Sequence, residues 1–284
     1  MTINKQTKFL IIGLGLLGGS YARGLTHKGY YVEAITKDQE SVDFALEHEI
    51  VKKCTTEVDE EMIRNANVVI FTVYPKIFLE WIDSYGHLLK PGTIITDVTG
   101  VKQCIVRQVQ EKLPIGVEFI SAHPMAGKEV YGVQNSDESI FYGANYIVVP
   151  NENNSDEAIE ACMRIGEILG FGLITPLSEK AHDEMIGFVS QLTHCIAVSL
   201  MTCYESEHLE KYTGDSFRDL TRIANINENL WSELFLMNQE ALVNEMELFK
   251  NEFDKLYTHV KNGDKQAMMD MMIKSTQRRK LFDK

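Results

Sequence analysis

Short apolar runs separated by amphipathic stretches make up the first 176 residues of the chain. An unbroken run of about four to eight apolar residues predicts a buried strand, and apolar residues spaced three and four apart predict a helix. On this pattern we predict strands at residues 8–12, 31–35, 68–73, 93–96, 117–121, 146–149 and 171–175. Because helical stretches alternate with these strands, the pattern predicts an α/β fold with a mostly parallel, doubly wound sheet.

The pattern changes after Pro176. A long helical tract runs to residue 203, and further helices are predicted at 217–224, 227–260 and 266–282, with no convincing strand after Thr175. We therefore predict two domains, an α/β domain at 1–176 and an all-helical domain at 177–284. The helices are rich in Met and Leu and carry more apolar surface than a small bundle easily buries, which favours a homodimer through the helical domain; the alternative is a well-packed bundle.

A glycine-rich turn follows the first predicted strand. Gly13, Gly15 and Gly18 form a G-x-G-x-x-G between a strand and a helix at residues 16–27. In a Rossmann-type domain the first glycine allows the tight turn, the second admits a pyrophosphate and the third lets the helix pack closely. The helix N-terminus then offers its N–H groups to the phosphates. The predicted cofactor site also includes four neighbouring residues: Leu16, Leu17, Thr72 and Val73.

Charge and cysteine content exclude several classes of partner. The net charge of −13 argues against nucleic acid and anionic membrane surfaces, though a local pocket can still bind a small anion. Five scattered cysteines without a C-x-x-C motif fit reduced thiols in the cytoplasm better than disulfides or a metal site. We find no apolar segment approaching the roughly 18–20 residues that span a bilayer.

His123 is the strongest candidate for chemistry. It follows the apolar run at 117–121 and is held by Pro124, so we place it at a strand end, where open α/β sheets bind ligands. The pKa of a histidine is near 6.5, so we expect activity to fall as the pH drops through roughly 6–7. The alternative is a structural histidine satisfied by backbone, but the glycine loop favours a role in proton transfer.

Four stretches together identify a family. They are residues 13–20, 97–102, 121–129 and 217–224, the last followed by Trp231. With His-Pro-x-Ala-Gly at 123–127 and Asp-x-Thr-Arg-Ile-Ala at 219–224, the chain resembles prephenate and arogenate dehydrogenases over essentially its whole length. The resemblance implies oxidative decarboxylation of prephenate to 4-hydroxyphenylpyruvate, with hydride transfer to NAD(P)⁺.

The resemblance also implies the substrate site. His123 would bond the ring hydroxyl as the catalytic base, and Arg222 would bind a carboxylate, for which a bidentate guanidinium is well suited. The other substrate-site residues implied are His194, Thr99, Gly100, Trp231, Glu129 and Arg218.

Two positions depart from the family pattern. Gly100 stands where a serine hydroxyl is often found, with Thr99 beside it as the candidate replacement. At the end of the second strand, Thr36 and Lys37 stand where NAD-specific domains carry an acidic residue. Lys37 can reach a 2′-phosphate, so we expect NADP to be slightly favoured over NAD; the alternative is that Asp38 turns in to bind the ribose.

Three alternatives stay open at this point. An arogenate dehydrogenase would share all of these motifs. A β-hydroxyacid-type dehydrogenase would use Lys180, but it would need an asparagine where Asp183 stands and would leave His123 unexplained. A dinucleotide-sensing regulator would keep the glycine loop without needing His123 or Arg222.

Overall fold

A six-stranded parallel sheet organises the first half of the chain. The computed structural model describes residues 2–128 and 130–282. The strand order is β3-β2-β1-β4-β5-β6, the doubly wound order whose reversal between β1 and β4 opens a crevice at the carboxyl ends of the strands. The strands are β1 (Lys8–Ile12), β2 (Tyr31–Ile35), β3 (Lys53–Thr55), β4 (Val68–Phe71), β5 (Ile94–Asp97) and β6 (Glu118–Phe119).

Helices cover both faces of this sheet. Because side chains alternate along a strand, Phe9 and Ile11 of β1 enter one apolar core while Leu10 and Ile12 enter the other. Burial on both faces explains why these strands are unbroken apolar runs. The helices are α1 (Leu16–His27), α2 (Gln39–Glu47), α3 (Glu60–Asn65), α4 (Pro75–Tyr85), α5 (Gln103–Gln110) and α6 (Asp156–Leu169).

A second, three-stranded sheet contains the His123 strand. It consists of β7 (Ser121–Pro124), β8 (Asn145–Val149) and β9 (Leu173–Pro176), with β7 antiparallel and β9 parallel to β8. The prediction that these strands close one sheet, and that 117–121 is a single strand, was wrong. Ile120 still donates a backbone hydrogen bond to Ile95, and the chain then leaves the first sheet. An apolar run indicates burial but not the hydrogen-bonding partner.

The second half of the chain is helical, as predicted, and the described residues contain no strand after Pro176. A six-residue π-helical segment, Gly187–Leu192, joins α7 and α8 into one continuous helix. The predicted helix at 227–260 is in fact two helices that meet at Asn238. The helices are α7 (Glu179–Ile186), α8 (Thr193–Thr202), α9 (Asp215–Thr221), α10 (Glu228–Met237), α11 (Gln239–Asn262) and α12 (Lys265–Arg279).

Two short elements escaped the sequence analysis, β3 and α3. β3 has three residues at the edge of the sheet and no apolar run. α3 has six residues, and its start is marked by Asp59, whose carboxylate caps the helix by accepting N–H bonds from Glu61 and Met62. A capping residue before a short helix is a readable signal, and it was overlooked.

One helix meets the length and hydropathy criterion for a membrane span. The continuous helix Glu179–Thr202 has a window of mean hydropathy 1.4, of which 28% is buried within the chain. The sequence expectation used a different measure and is not contradicted by this finding. It counted uninterrupted apolar residues, whereas a mean hydropathy tolerates interspersed polar ones. Length and composition alone do not distinguish a membrane span from a helix that packs against protein.

Candidate active site

The glycine loop leaves open space at one glycine and is tightly packed at the other two. Gly13 has φ of 97°, and a Cβ there would lie 2.7 Å from Cγ1 of Val73. A Cβ on Gly18 would overlap the carbonyl oxygen of Gly13, whereas a Cβ on Gly15 would meet nothing within 4 Å. The loop is thus held close on one side and open at Gly15, which fits the approach of a pyrophosphate.

The N-terminus of α1 faces this opening. Its N-cap is Gly15, which has no capping side chain, and its first turn, with Leu16 and Leu17, carries no acidic residue. Its N–H groups therefore suit an anion. The Thr72 hydroxyl donates a 2.6 Å hydrogen bond to the carbonyl of Gly13, so Thr72 and Val73 support the loop from behind. These residues fit a nicotinamide dinucleotide.

The end of β2 carries no acidic side chain directed at the cofactor crevice. Thr36 is buried, and its hydroxyl accepts a 3.3 Å hydrogen bond from the N–H of Leu14 in the glycine loop. Lys37 is exposed. The carboxylate of Asp38 caps α2 by accepting the Ser41 N–H at 2.8 Å. Turning Asp38 towards a ribose would give up that cap, at a typical cost of about 1 kcal/mol.

His123 lies in β7 and is linked to two residues of α7. Its Nδ1 is 2.9 Å from Nε2 of His182, and Nδ1 of His182 is 2.7 Å from Oδ1 of Asp183. The Asp183 carboxylate also accepts the backbone N–H groups of Lys102 and Gln103, at 2.9 and 2.8 Å. His182 and Asp183 are buried, whereas His123 is half-buried. The linked side chains therefore run from the partly open His123 into the protein.

A buried ion pair fixes the backbone beside His123. Asp97 and Lys102 have no exposed side-chain surface, and Nζ of Lys102 lies 3.0 Å from Oδ2 of Asp97. Nζ also donates to the carbonyl of Ala122 at 2.7 Å, while Asp97 accepts the Ala122 N–H at 3.0 Å and the Ser121 hydroxyl at 2.6 Å. The pair thus binds both backbone groups of the residue that precedes His123.

The Thr99 hydroxyl belongs to the same buried cluster. It contacts the Asp97 carboxylate, donates to the carbonyl of Val101 at 3.0 Å and lies 3.3 Å from Nζ of Lys102. Thr99 is only 4% exposed. The structure therefore directs this hydroxyl into the protein and not into the cleft, because Asp97 needs donors once it is buried.

Burial sets the protonation of both linked histidines. It lowers the pKa of His123 well below the ordinary value, and the nearby His182 and Lys102 lower it further. Burial also lowers the pKa of His182, although its hydrogen bond to Asp183 opposes that effect. Both rings are therefore neutral near pH 7. The sequence analysis expected activity to fall as the pH drops through roughly 6–7. That range is too high, because the expectation assumed the pKa of an exposed histidine for His123.

α10 lies beside Gly100, close to His123, and contacts α8. A Cβ on Gly100 would lie 3.6 Å from Leu234 and 4.0 Å from Cε1 of His123, so the missing side chain leaves space directly beside His123. Trp231, one turn before Leu234, stacks on His194 with ring centroids 3.6 Å apart. His194 is held by a 2.9 Å hydrogen bond from Nδ1 to the carbonyl of Ser190. Gly100, His194 and Trp231 thus line the same side of the molecule as His123.

The two predicted arginines lie at the surface. Arg222 opens a short 3₁₀ turn that packs against α8, the helix of His194. Arg218 is exposed on α9 and forms a 3.9 Å ion pair with Asp215. Glu129 lies outside the described residues. In the described part of the chain, no group of three or more His, Cys, Asp or Glu side chains could hold a metal ion.

Sequence reasoning missed the residues behind His123. Asp97 and Lys102 stood in the quoted 97–102 turn but were given no role, and Asp183 was weighed only as a mismatch to another family. A signal existed for Asp97, which ends the strand Ile94–Asp97 at the carboxyl edge of the sheet, where open α/β sheets place their ligand sites. No local signal linked His182 to His123, because the two are far apart in sequence.

Family models match most of the chain. One, described as prephenate dehydrogenase, nucleotide-binding domain, matches residues 21–174, and another, described as prephenate dehydrogenase, dimerization domain, matches residues 178–274. A prephenate dehydrogenase of Lactococcus lactis is 30% identical over 272 residues, covering 92% of this chain and 73% of the relative.

Solved structures agree with this assignment. A prephenate dehydrogenase from A. aeolicus, in complex with hydroxyphenyl propionate and NAD⁺, superposes with a TM-score of 0.91 at 25% identity, with all of both chains covered. The arogenate dehydrogenase of Synechocystis superposes with a TM-score of 0.84 at 23% identity, covering 98% of this chain and 100% of the other, and shows the shared fold.

Proposed function

The chain belongs to the prephenate dehydrogenase family, and on that basis we propose that it converts prephenate to 4-hydroxyphenylpyruvate by oxidative decarboxylation. It is an NAD(P)-dependent oxidoreductase of tyrosine biosynthesis. Membership of this family sets aside both the β-hydroxyacid-type dehydrogenase and the non-enzymatic regulator. The observation that carries the proposal is His123, half-buried, neutral and bonded through Nδ1, which leaves Nε2 for a substrate proton.

The residues support a direct sequence of events. Prephenate carries a secondary alcohol and a ring carboxylate on a cyclohexadiene ring. His123 takes the hydroxyl proton at Nε2 as hydride leaves the same carbon and the carbon–oxygen double bond forms. A bound nicotinamide dinucleotide supplies the hydride acceptor. The ring carboxylate then departs as carbon dioxide, and its bonding electrons complete the aromatic ring.

The remaining predicted residues form the proposed substrate site. Arg222 binds a carboxylate, and the stacked pair of His194 and Trp231 forms an aromatic wall for the ring. Nδ1 of His194 donates to the carbonyl of Ser190, which fixes the orientation of the ring. Gly100 provides room beside His123. Glu129 and Arg218 are included in the proposed site because of the family motifs in which they stand. Thr99 contributes indirectly, because its hydroxyl contacts the buried Asp97 that holds the backbone beside His123.

We propose that NADP is accepted and slightly preferred to NAD. The support is Thr36, which is neutral, Lys37, which is exposed and cationic, and Asp38, which is engaged as the cap of α2. NAD-specific domains use an acidic side chain at the end of this strand to repel a 2′-phosphate, and Thr36 carries no such charge. We place the cofactor domain at residues 1–176 and the helical substrate domain at 177–284.

We also propose that the chain is a homodimer formed by the helical domain. An apolar groove of about 600 Å³ lies between α8 and α11. Exposed apolar residues follow one face of α11 at spacings of three and four, namely Val243, Met246, Phe249, Phe253, Tyr257 and Val260. An exposed apolar stripe of this kind on a soluble enzyme is typical of a surface that packs against another subunit.

We place the enzyme in the cytoplasm, in keeping with five free thiols.

Purified protein incubated with prephenate or arogenate, and with NAD⁺ or NADP⁺, tests the proposed function. We expect formation of the reduced cofactor and release of carbon dioxide with prephenate. Turnover of arogenate alone would assign the enzyme to the related substrate, which differs only in an amino group in place of the side-chain keto group. Turnover of neither substrate would reject the proposal.

A further inference from the structure

We propose that His182 and Asp183 form a relay that points the Nε2 lone pair of His123 into the cleft and shares the charge of the proton taken from the substrate. The two residues would act as positioning residues, since neither reaches the cleft itself. The proposal rests on the proposed function, because it concerns the proton that His123 removes. It assigns a role to two buried polar residues of α7 that the sequence motifs left without one.

The direction of the hydrogen bonds follows from the Asp183 carboxylate. Because that carboxylate can only accept, Nδ1 of His182 must donate to it across 2.7 Å. A neutral His182 then has its lone pair on Nε2, so Nδ1 of His123 must donate across 2.9 Å. The remaining nitrogen of His123, Nε2, is left as the acceptor, which is the form that a general base needs.

The charge balance supports the same arrangement. The charged groups packed around His123 are Asp97 of β5, Lys102 before α5 and Asp183 of α7. Asp97 and Lys102 neutralise each other at 3.0 Å, so among these three described groups the Asp183 carboxylate keeps its negative charge uncompensated. A proton arriving at His123 therefore brings the cluster to neutrality. As in serine protease triads, a buried carboxylate steadies an imidazolium through hydrogen bonds.

The relay is held rigidly from three elements. Backbone N–H groups of Lys102 and Gln103 fix both oxygens of Asp183, and the side-chain amide of Asn238 donates to the Asp183 carbonyl at 2.9 Å. Asn238 is itself fixed by a 2.8 Å hydrogen bond to Gln191. These hydrogen bonds hold His182 within bonding distance of His123.

The proton transfer balances without any further reactant. The O–H bond of the substrate breaks and an N–H bond forms at Nε2 of His123, while the oxygen keeps the electron pair for the carbonyl. The positive charge is then shared across the hydrogen bond with His182 and offset by Asp183. Once carbon dioxide has left, the ring oxygen is a phenolate, and return of the proton from Nε2 of His123 to that oxygen gives the phenol and restores neutral His123.

Replacement of His182 tests the relay by activity. His182→Leu removes the acceptor for Nδ1 of His123, and we expect kcat to fall by about 100-fold or more, with KM for prephenate changed by less than about threefold. His182→Gln keeps an acceptor oxygen but loses the second hydrogen bond, so we expect it to recover part of that loss. His87→Gln, at an exposed histidine, is the matched control and should equal the wild type.

A spectroscopic measurement tests the relay without activity. Nitrogen-15 NMR of the histidine-labelled, ligand-free protein reports the tautomer of His123, assigned by its loss in His123→Asn. We expect the Nδ1–H form in the wild type and in His182→Gln, and a mixture with the Nε2–H form in His182→Leu. An unchanged tautomer in His182→Leu, or equal activity of the Leu and Gln variants, would overturn the relay. A wild type that shows the Nδ1–H form but turns over neither substrate would reject the proposed function alone.

Discussion

The pKa of His123 differs from that of an exposed histidine because the side chain is buried beside other basic groups. Burial and the neighbouring Lys102 lower its pKa well below the ordinary value of 6.5. A general base works only while it is neutral, so activity is lost as the pH falls through its pKa. Because that pKa is lowered, we expect kcat/KM to hold at pH 6.5 and to fall only at more acidic pH. A profile already half-lost at pH 6.5 or above would contradict this; circular dichroism across the range would control for unfolding.

Replacing His123 itself separates chemistry from binding. His123→Asn keeps a polar side chain of similar size, so we expect the fold and the cofactor affinity to persist while kcat falls by about 10²–10⁴-fold. Steady-state kinetics and cofactor titration by fluorescence measure the two quantities. Near-normal turnover would remove His123 from the mechanism.

Arg222 is expected to act on binding more than on chemistry. If its guanidinium pairs with a substrate carboxylate, Arg222→Ala should weaken substrate binding by about 2–5 kcal/mol and leave the cofactor Kd unchanged. Arg107→Ala is a matched control, because Arg107 is exposed on α5 and pairs with its helix neighbour Glu111. A rise in the cofactor Kd with an unchanged substrate KM would show that the carboxylate assignment is wrong.

We expect the choice of cofactor to depend on the neutral side chain of Thr36. Thr36→Asp can still accept the Leu14 N–H, which the threonine hydroxyl accepts now, and it adds a negative charge at the end of β2. We expect a shift of preference towards NAD of about 1–3 kcal/mol, through repulsion of the 2′-phosphate. Thr36→Asn, similar in size but uncharged, is the control. The values of kcat/KM for both cofactors decide the matter; a strong wild-type preference for NAD that Thr36→Asp leaves unchanged would refute it.

At the scale of elements, the sequence predicted the strands of the parallel sheet other than β3 because they are short apolar runs, and most helices because their apolar residues recur with helical spacing. β1, β2 and α1 were predicted with the bounds that the structure shows. The pairing of β7 with β8 could not be predicted, since an apolar run carries no record of its partner strand. The π-helical segment was equally invisible, because an extra residue in one turn barely disturbs an apolar pattern.

The π-helical segment Gly187–Leu192 changes the direction in which side chains on either side of it point from the continuous helix Glu179–Thr202. An α-helix turns about 100° per residue, so His182 and His194, 12 positions apart, would point about 120° apart. A π-helical turn holds roughly one residue more, so the segment removes about 100–130° of rotation. The two histidines therefore share one face. Consistently, His182 contacts His123, next to Gly100 and Leu234, and His194 stacks on Trp231 three residues before Leu234.

Removing one residue from the segment should break this alignment. Deletion of Val189, an exposed position within it, would allow a regular α-helix and rotate His194 away from the cleft. We expect kcat/KM for prephenate to fall by about 100-fold or more while cofactor binding by the first domain persists. Val189→Ala, which keeps the residue count, should behave like the wild type. A deletion variant with native helix content and full activity would refute the register argument.

At the scale of the whole molecule, the site draws on parts of the chain that are distant in sequence. The glycine loop and the 123–127 motif were readable because each is local and chemically distinctive. The partner of His123 was not readable, because His182 stands 59 residues further on, in the other half of the chain. Only the packing of α7 against the turn at Asp97–Lys102 brings them together, and that packing depends on side-chain geometry that no local pattern encodes.

The apolar stripe of α11 leads to the last prediction, on assembly. In a single chain the long helix of α7 and α8 is poorly covered, with 28% of its apolar window buried, and Met246 and Phe253 are exposed beside it. Covering such a surface is favourable by roughly 25 cal/mol per Å². We expect the wild type to sediment as a dimer of two 32.3 kDa chains at micromolar concentration.

Introducing charge into the apolar stripe of α11 tests whether it forms the subunit interface. Met246→Lys with Phe253→Lys places two cations in the groove, where burial against a second copy would be strongly unfavourable, so we expect a monomer with a lower Tm. Ile115→Lys, at an exposed apolar residue on the other domain, is the matched control and should stay dimeric. Because association stabilises the folded state by mass action, the wild-type Tm should also rise with protein concentration and that of the double variant should not. A monomeric wild type, or a double variant that still sediments as a dimer, would show that the stripe is not the subunit interface.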